Sequence, residues 1–207
     1  MPSPLSIRDL RLEDLPAVVA VHRLAFRGFF LDRMGPAFLR GYYQAVLDYP
    51  GGLLLVADDA DGITGFAAGF VDPDGFYAHF RRRRWRLLPA ILLALLRRPW
   101  LLIGILRNSA RVQREAQGVP AARTFELSSI ASAKPGGGVG SVLLRACIDR
   151  VRARGCERIV LTTDQDDNDG VRRFYERHGF GAVGREMRGK RCLVVYEMRL
   201  GVEVVGK

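Results

Sequence analysis

The 207-residue sequence has few cysteines, and its beginning lacks a secretory leader pattern. The three cysteines, Cys147, Cys156 and Cys192, make an odd number without the spacing of zinc ligands. This pattern argues against a disulfide framework or a zinc site, and it favours a reducing compartment. Because no basic region followed by an apolar run opens the sequence, we expect a cytoplasmic protein without a signal peptide.

Lysine is also scarce, although the chain is strongly basic. Only Lys134, Lys190 and Lys207 are lysines, so the formal net charge of +10 comes mainly from arginine. This charge favours an anionic partner, such as a ligand with several phosphates, a nucleic acid or an acidic membrane. The aromatic residues are not interleaved with the arginines in a nucleic-acid-binding motif, so we do not expect a nucleic-acid partner.

We expect one domain, because 207 residues with 48% hydrophobic content suffice for one sizeable core and hardly for two. Apolar periodicity predicts the strands and helices. The predicted strands cover 5–10, Leu53–Ala57, Ile63–Val71, Thr124–Ser132, Glu157–Thr163 and about 192–200, and the predicted helices begin at Asp14, Pro36, Ser141 and Asn168. Their order indicates a mixed α/β sheet with helices on both faces.

A glycine-rich segment, Gly136-Gly137-Gly138-Val139-Gly140-Ser141, lies between a predicted strand and a predicted helix. Glycines let the backbone approach a ligand, and the start of a helix directs unpaired N–H groups and a positive dipole outward. The segment therefore predicts a phosphate or pyrophosphate site, although a flexible loop before a helix would have a similar sequence. It matches neither the nucleotide-triphosphate loop nor the dinucleotide fingerprint, which argues against ATP and NAD.

A second strand, loop and helix follow this segment. The loop and helix read Asn168-Asp169-Gly170-Val171-Arg172-Arg173-Phe174-Tyr175-Glu176-Arg177-His178-Gly179-Phe180. Together with the glycine-rich segment, this stretch resembles the signature of the Gcn5-related N-acetyltransferases, the GNAT superfamily. In that signature a strand leads into a Gly-x-Gly pyrophosphate loop and then into Asn-x-x-Ala-x-x-Phe-Tyr-x-x-x-Gly-Phe. The likeness covers most of the chain outside about 79–120.

The resemblance implies a single N-acetyltransferase domain over 5–200 with a GNAT-like acyl-CoA N-acyltransferase fold. That fold is a mixed, mostly antiparallel sheet flanked by helices, here with a helical insertion at about 79–120 and a tail at 201–207. The implied cosubstrate is acetyl-CoA. The implied reaction is direct transfer of the acetyl group to a primary amine of a small molecule or peptide.

The resemblance also assigns roles to particular residues. The strand before the glycines would splay and pair with the pantetheine arm through Ile130, Ala131 and Ser132. The pyrophosphate would lie on the backbone amides of Gly136, Gly137, Gly138, Val139, Gly140 and Ser141. Asn168 would hold the cofactor arm or, as the alternative, cap its own helix.

Two residues are the catalytic candidates. A lysine-like amine has a pKa near 10.4, so a base is needed to make it nucleophilic at neutral pH, and we assign Glu126 to that role. Tyr175 is the expected general acid for the departing thiolate, because a phenol is protonated at pH 7. The simpler alternatives are that Glu126 faces solvent on an exposed strand and that Tyr175 fills the core beside Phe174.

The insertion combines Arg81-Arg82-Arg83-Arg84 with two apolar runs that extend to residue 106. The first run has ten residues, about 15 Å as a helix, and cannot cross about 30 Å of hydrocarbon. A span made of both runs would place two arginines and a proline at its centre. Three alternatives stay open for 81–106: a helical lid, a peripheral contact with anionic membrane, and a homodimer contact.

We predict no metal site and no covalent acyl-enzyme. Asp164-Gln165-Asp166-Asp167-Asn168 resembles the start of a calcium loop, but Asp169 replaces the required glycine and Tyr175 the required glutamate. The cysteines have no histidine nearby in the sequence to activate them. The alternatives to an enzyme are a noncatalytic CoA-binding protein of the same fold and a basic membrane- or nucleic-acid-binding module.

Overall fold

A computed structural model describes residues 5–83, 123–134, 136–189 and 191–201. Its sheet has seven strands in the order β1-β2-β3-β4-β5-β7-β6. Neighbouring strands are antiparallel except for the parallel pair β4 and β5. The strands are β1 (Ser6–Asp9), β2 (Gly52–Asp59), β3 (Gly62–Val71), β4 (Thr124–Ser132), β5 (Arg158–Asp164), β6 (Gly181–Arg188) and β7 (Arg191–Arg199). The predicted mixed, mostly antiparallel α/β fold is therefore confirmed.

Helices cover both faces of this sheet. They are α1 (Leu15–Ala25), α2 (Phe30–Arg33), α3 (Pro36–Leu47), α4 (Pro73–Arg83), α5 (Val139–Ala153) and α6 (Asp169–Arg177), with a 3₁₀ turn at Leu12–Asp14. Proline stands in the first turn of α1 and of α3, where its missing N–H has no partner to lose. The helix starts predicted near Asp14, Pro36 and Asn168 agree with the structure, whereas α5 begins two residues before the predicted Ser141.

The two faces carry separate apolar clusters. The first face packs against α1, α3 and α4 and is rich in aromatic rings, among them Tyr42, Tyr43, Phe66, Phe70 and Phe76. The second face packs against α5 and α6 and is mainly aliphatic. Its members include Leu55, Leu127, Leu143, Leu144, Val151 and Ile159. The central strand β4 contributes to both clusters, so its register decides which side chains reach which face.

The helix α4 and the strand β6 were not predicted. The start of α4 has a local signal, because the Asp72 carboxylate accepts the N–H of Gly75 and Pro73 follows directly. Phe76, Tyr77 and Phe80 then recur at helical spacing. Strand β6 lacks such a signal because it is an edge strand with most residues exposed on both faces, so no apolar alternation marks it.

The predicted insertion at about 79–120 begins within α4, whose Phe80 packs against the first face. The rest of the insertion, from residue 84, lies outside the described residues, as do residues 202–207 of the predicted tail. The lid, the membrane contact and the homodimer contact therefore stay predictions. Among the described residues, no helix combines the length and apolar character needed to cross a bilayer.

Candidate active site

The candidate site lies where β4 and β5 separate. The two strands pair in parallel only from Thr124 to Glu126 on β4, opposite Arg158 to Val160 on β5. Strand β4 continues to Ser132 and stays paired with β3, and β5 continues to Asp164 and stays paired with β7. The separation that the resemblance implied is therefore present. Ile130, Ala131 and Ser132 lie beyond the last β4–β5 pair.

The space between β4 and β5 beyond their last residue pair is called the β4–β5 gap below. A buried arginine lies at its closed end. Arg158 is 3% exposed, and its Nε donates to the Thr124 hydroxyl at 2.8 Å. Its Nη1 lies 3.3 Å from Glu197 Oε2 on β7. One guanidinium thus joins three adjacent strands just below the point where β4 and β5 part.

A β-bulge lies in β4 just above this point. Ala68 of β3 is opposite Ser129 and Gly69 is opposite Leu127, so Ser128 is the extra residue. A bulge disrupts the ladder locally and changes the direction of the side chains that follow. Leu127 and Ile130 both belong to the second face. The two serines between them interact with tyrosines of the first face.

The glycine-rich segment forms a turn at the start of α5. Gly136 and Gly138 have φ values of +83° and +75°, a left-handed conformation that favours glycine. A Cβ atom at either position would meet no atom of the described residues within 4 Å. The first amides of α5, at Val139 and Gly140, precede any carbonyl that could accept them within the helix. An open turn with outward N–H groups fits a diphosphate.

The nearest lysine to this turn already has acidic partners. Lys134 Nζ lies 2.6 Å from Asp61 Oδ2 and 3.4 Å from Asp59 Oδ2, both at the β2–β3 turn. The hydrogen bond to Asp61 is the largest of the effects that raise the Lys134 pKa. The anion-binding capacity of the turn therefore depends on its backbone amides and the dipole of α5.

The helix α6 lies against this turn. The Phe174 ring would be 3.7 Å from a Cβ atom at Gly140. Asn168 is the N-cap residue of α6, but its side chain makes no capping bond. Its Nδ2 instead donates to the Thr163 hydroxyl at 2.6 Å and to the Asp164 carbonyl at 3.2 Å. The capping alternative for Asn168 is therefore wrong, because its amide anchors α6 to the end of β5.

Tyr175 belongs to the second face and is 8% exposed. Its ring lies 5.7 Å from Phe180 and 6.1 Å from Tyr196, measured between centroids. Burial, with a smaller contribution from Cys147, raises the Tyr175 pKa, so the phenol is protonated at neutral pH and is a weaker acid than a free phenol. Tyr196 holds the helix in place, since its hydroxyl donates to Glu176 at 2.7 Å. The acid role of Tyr175 stays a prediction.

Glu126 lies on the other face. It stands between Phe125 and Leu127, which both pack on the second face, so the alternation of β4 directs Glu126 toward the first. Its Oε1 accepts a hydrogen bond from the Tyr77 hydroxyl of α4 at 3.0 Å. Glu126 is half-buried and belongs to the last residue pair before the gap opens. Glu126 is therefore not a freely solvated carboxylate. Its role as the base stays a prediction.

The cysteine thiols are poorly suited to nucleophilic chemistry. Burial raises the pKa of Cys147 to about 12 and also raises the pKa of Cys156, so both thiols are protonated at neutral pH. Cys192 donates its S–H to Gln165 Oε1 at 3.4 Å. Within the described ranges, no group of three or more His, Cys, Asp or Glu side chains could hold a metal ion.

Several residues beside the candidate site were not predicted. Tyr42 and Tyr77 contact β4 through their hydroxyls, and Arg158 closes the base of the gap. In the sequence, the helical spacing of Tyr42 with Phe38 and Leu39 indicates only a core residue. A hydroxyl at a core position is itself a signal, because buried Tyr O–H groups find a hydrogen-bond partner.

Comparison with known proteins gives one family match and many solved structures that share the fold of this chain. Residues 127–180, which contain the upper part of β4, the glycine turn, α5, β5 and α6, match the Acetyltransferase (GNAT) family. A search of the curated proteins found no match. The matched segment contains the two motifs on which the resemblance was based.

Solved structures of acetyltransferases superimpose over nearly the whole chain. An acetyltransferase assigned to the GNAT family from Desulfovibrio desulfuricans gives a TM-score of 0.62 at 18% identity, covering 95% of this chain and 99% of its own. The PaiA N-acetyltransferase from Thermoplasma acidophilum, in complex with coenzyme A, gives a TM-score of 0.59 at 13% identity. The match covers 95% of this chain and 99% of the PaiA chain. The yncA protein of Salmonella typhimurium, with its cofactor acetyl-CoA, gives a TM-score of 0.60 at 16% identity. The match covers 97% of this chain and 96% of the yncA chain.

At these identities the structural matches establish a shared fold and not a shared substrate. The family match extends the likeness to the sequence of the glycine turn and of the Asn168 to Phe180 element. The resemblance to the GNAT superfamily is therefore confirmed: the chain has the GNAT acetyltransferase fold, and residues 127–180 carry the sequence match to that family.

Proposed function

We propose that the protein is an acetyl-CoA-dependent N-acetyltransferase that transfers an acetyl group directly to a primary amine of a small molecule or peptide. The observation that carries the proposal is the β4–β5 gap. The glycine turn of α5 follows β4, Glu126 lies on the first face, and Tyr175 lies on the second. A thioester inside such a gap could meet a base on one face and an acid on the other.

The residues that would bind the cosubstrate are those around the gap. The amides from Gly136 to Ser141 are the proposed diphosphate ligands, chiefly the first N–H groups of α5 at Val139 and Gly140. The N–H groups of Gly137 and Ser141 already donate to the carbonyls of Lys134 and Gly138. The backbone of Ile130, Ala131 and Ser132 would pair with the pantetheine arm, since β4 has left β5 before these residues. Asn168 would contribute by holding α6 beside the turn, through its bonds to Thr163 and Asp164.

The chemistry needs one proton removed and one supplied. Glu126 would accept a proton from the acceptor amine, directly or through water, while the amine nitrogen bonds to the acetyl carbon. A backbone N–H of β4 beyond Glu126 would polarise the acetyl carbonyl. As the carbon–sulfur bond breaks, Tyr175 would donate its proton to the thiolate. Burial keeps that proton on Tyr175 at neutral pH.

A matched pair of glycine variants tests the binding half of the proposal. Gly138→Ala and Gly155→Ala both place a Cβ at positive φ, +75° and +73°, with no described atom within 4 Å. Each change costs roughly 1–2 kcal/mol of backbone strain. Only Gly138 lies at the proposed diphosphate site, whereas Gly155 follows the other end of α5. We expect calorimetry to show acetyl-CoA binding at least tenfold weaker for Gly138→Ala and unchanged for Gly155→Ala.

Thiol release measured over a panel of primary amines tests the catalytic half. Release that depends on the amine supports acetyl transfer. Tight acetyl-CoA binding without release from any amine would favour a noncatalytic CoA-binding protein. If acetyl-CoA did not bind, and RNA or anionic vesicles bound in a salt-sensitive way, the basic binding module would replace the proposal.

The remaining expectations stay as proposals beside this function. They are the single domain over 5–200, the cytoplasmic location, the absence of a nucleic-acid partner and the contact of 81–106 with membrane or with a second copy. Co-sedimentation with anionic vesicles tests the membrane contact of 81–106, and the molar mass in solution tests its contact with a second copy.

A further inference from the structure

Two adjacent serines of β4 meet two adjacent tyrosines of α3. The Tyr42 hydroxyl donates to Ser128 Oγ at 3.0 Å, and the Tyr43 hydroxyl interacts with the side chain of Ser129. In a regular strand, neighbouring side chains point to opposite faces. The bulge at Ser128 interrupts this alternation, and it lets both serines face α3.

Both tyrosines are held firmly. Tyr43 is fully buried, and its hydroxyl lies 2.6 Å from His22 Nδ1 of α1. Tyr42 is 7% exposed, and its ring lies 5.8 Å from Phe80 and 6.2 Å from Phe76, measured between centroids. Rings fixed by this packing leave little freedom for their hydroxyls, so the bond from Tyr42 defines where Ser128 Oγ lies.

Ser128 stands at the pivot of the candidate site. Within the stretch from Phe125 to Ser132 that pairs with β3, it is the residue without an opposite residue, and it comes two residues after the last pair with β5. The ladder hydrogen bonds that orient the rest of β4 are therefore interrupted at this residue. A side-chain hydrogen bond can orient the backbone where the ladder does not.

We infer that Tyr42 is a positioning residue for acyl transfer: its hydrogen bond to Ser128 fixes the β4 bulge and so aims the backbone N–H groups of β4 that face the gap. The inference rests on the proposed function, because the aimed groups matter only if a thioester carbonyl lies there. Preorganised donors act through their direction, and a misplacement of about 1 Å can cost on the order of 100-fold in rate.

Tyr42→Phe keeps the packed ring and removes the hydroxyl. We expect kcat for thiol release to fall about tenfold, since the bulge is loosened and not removed, while KM for acetyl-CoA stays within twofold. Ser128→Ala should have the same effect. The double variant should be no worse than either single one, because both remove the same bond. Tyr49→Phe is the matched control, since its ring packs on Phe76 at 5.5 Å but its hydroxyl donates to the Asp72 carbonyl.

Amide hydrogen exchange without cosubstrate separates this inference from the proposed function. In Tyr42→Phe the amides of residues 127–130 should exchange at least fivefold faster than in the wild type, and in Tyr49→Phe they should not. A third measurement is the carbonyl stretch of carbon-13-labelled acetyl-CoA bound to the protein. It should shift toward the unbound value in Tyr42→Phe, because a badly aimed donor polarises the carbonyl less.

The outcomes are distinguishable. Unchanged exchange in Tyr42→Phe, or a loss of turnover equal to that of Tyr49→Phe, overturns the inference and leaves the proposed function intact. Faster exchange with unchanged kcat and carbonyl stretch shows a purely structural bond and also overturns it. Failure of the wild type to bind or turn over acetyl-CoA overturns the proposed function, and the catalytic role of Tyr42 with it.

Discussion

The first face of the sheet is richer in aromatic rings and hydroxyl groups than the second, which is mainly aliphatic. On the first face, the hydroxyls of Tyr42 and Tyr77 each donate to a side chain of β4. On the second face, leucine and valine side chains of α5 pack on the strands without polar contacts to β4. The first face therefore adjusts the central strand residue by residue, and the second mainly fixes the position of a helix start.

This difference suits the two tasks of the proposed reaction. A diphosphate needs a fixed group of N–H donors, and aliphatic packing of α5 can supply this because it holds the whole helix rigidly. A reacting carbonyl and amine need individually aimed groups, and hydrogen bonds of defined length can supply these.

The largest effect is expected for the buried arginine at the closed end of the gap. Arg158→Ala leaves Glu197, whose side chain is 14% exposed, without its buried partner, so we expect a loss of about 4 kcal/mol in the free energy of unfolding. Arg199→Ala is the matched control, because Arg199 pairs with the same glutamate but is 77% exposed. Its loss should be under about 0.5 kcal/mol. Equal losses in urea unfolding would show that the gap does not depend on this guanidinium.

The next effect is the pH dependence of stability caused by His22 on the first face. Burial lowers the His22 pKa from 6.5 to about 4, against a smaller opposing effect of Asp32. The unfolded chain therefore binds a proton between pH 6.5 and 4 that the folded chain excludes, so stability falls as pH falls through this window. The expected loss is about 3 kcal/mol at 1.36 kcal/mol per pKa unit.

Chemical unfolding at pH 7 and pH 3.5, on either side of this window, measures this loss. In His22→Phe, where the ring of the new residue replaces the imidazole among Phe26, Tyr43 and Phe66, the pH dependence should be smaller by that amount. A variant as pH-sensitive as the wild type would assign the dependence to other groups.

The third prediction concerns the second face. Tyr175→Phe keeps the ring contacts and removes the proton, so thiol release at pH 7 should fall about 100-fold, while acetyl-CoA affinity changes less than twofold. Tyr196→Phe is the neighbouring control. It loses the bond to Glu176 and about 1 kcal/mol of stability, but it should keep turnover within twofold. If Tyr175→Phe turned over like the wild type, Tyr175 would be a core residue only.

The smallest effect is expected for Glu126, the proposed base on the first face. Glu126→Gln can still accept a bond from Tyr77 but cannot take a proton, so thiol release should fall about tenfold at pH 7. The deficit should shrink toward pH 10, because an alkylamine acceptor then loses its proton to solvent. Glu157→Gln, on the loop before β5, should leave the rate unchanged. A deficit that did not vary with pH would contradict the base role.

Much of this architecture could be predicted because its signals are local. The hairpin of β2 and β3, the helix at Pro36 and the Asn168 element each show a short apolar period bounded by glycine, proline or a polar cap. Strand β6 was missed because a strand exposed on both faces has no apolar alternation. The side-chain bonds of Asn168 could not be predicted either, since capping and anchoring to β5 require the same residue at the same place.

Periodicity and glycine act within a few residues, so the order of elements, the open glycine turn before α5 and the candidates Glu126 and Tyr175 can be read from the amino-acid sequence. The positions of these two residues on opposite faces, and the bulge that turns Ser128 and Ser129 to one side, follow from the folded arrangement of the strands. The bond that meets Ser128 comes from Tyr42, 86 residues away in the chain. Strand register and such distant bonds are set by the packing of the whole core, so no local pattern records them.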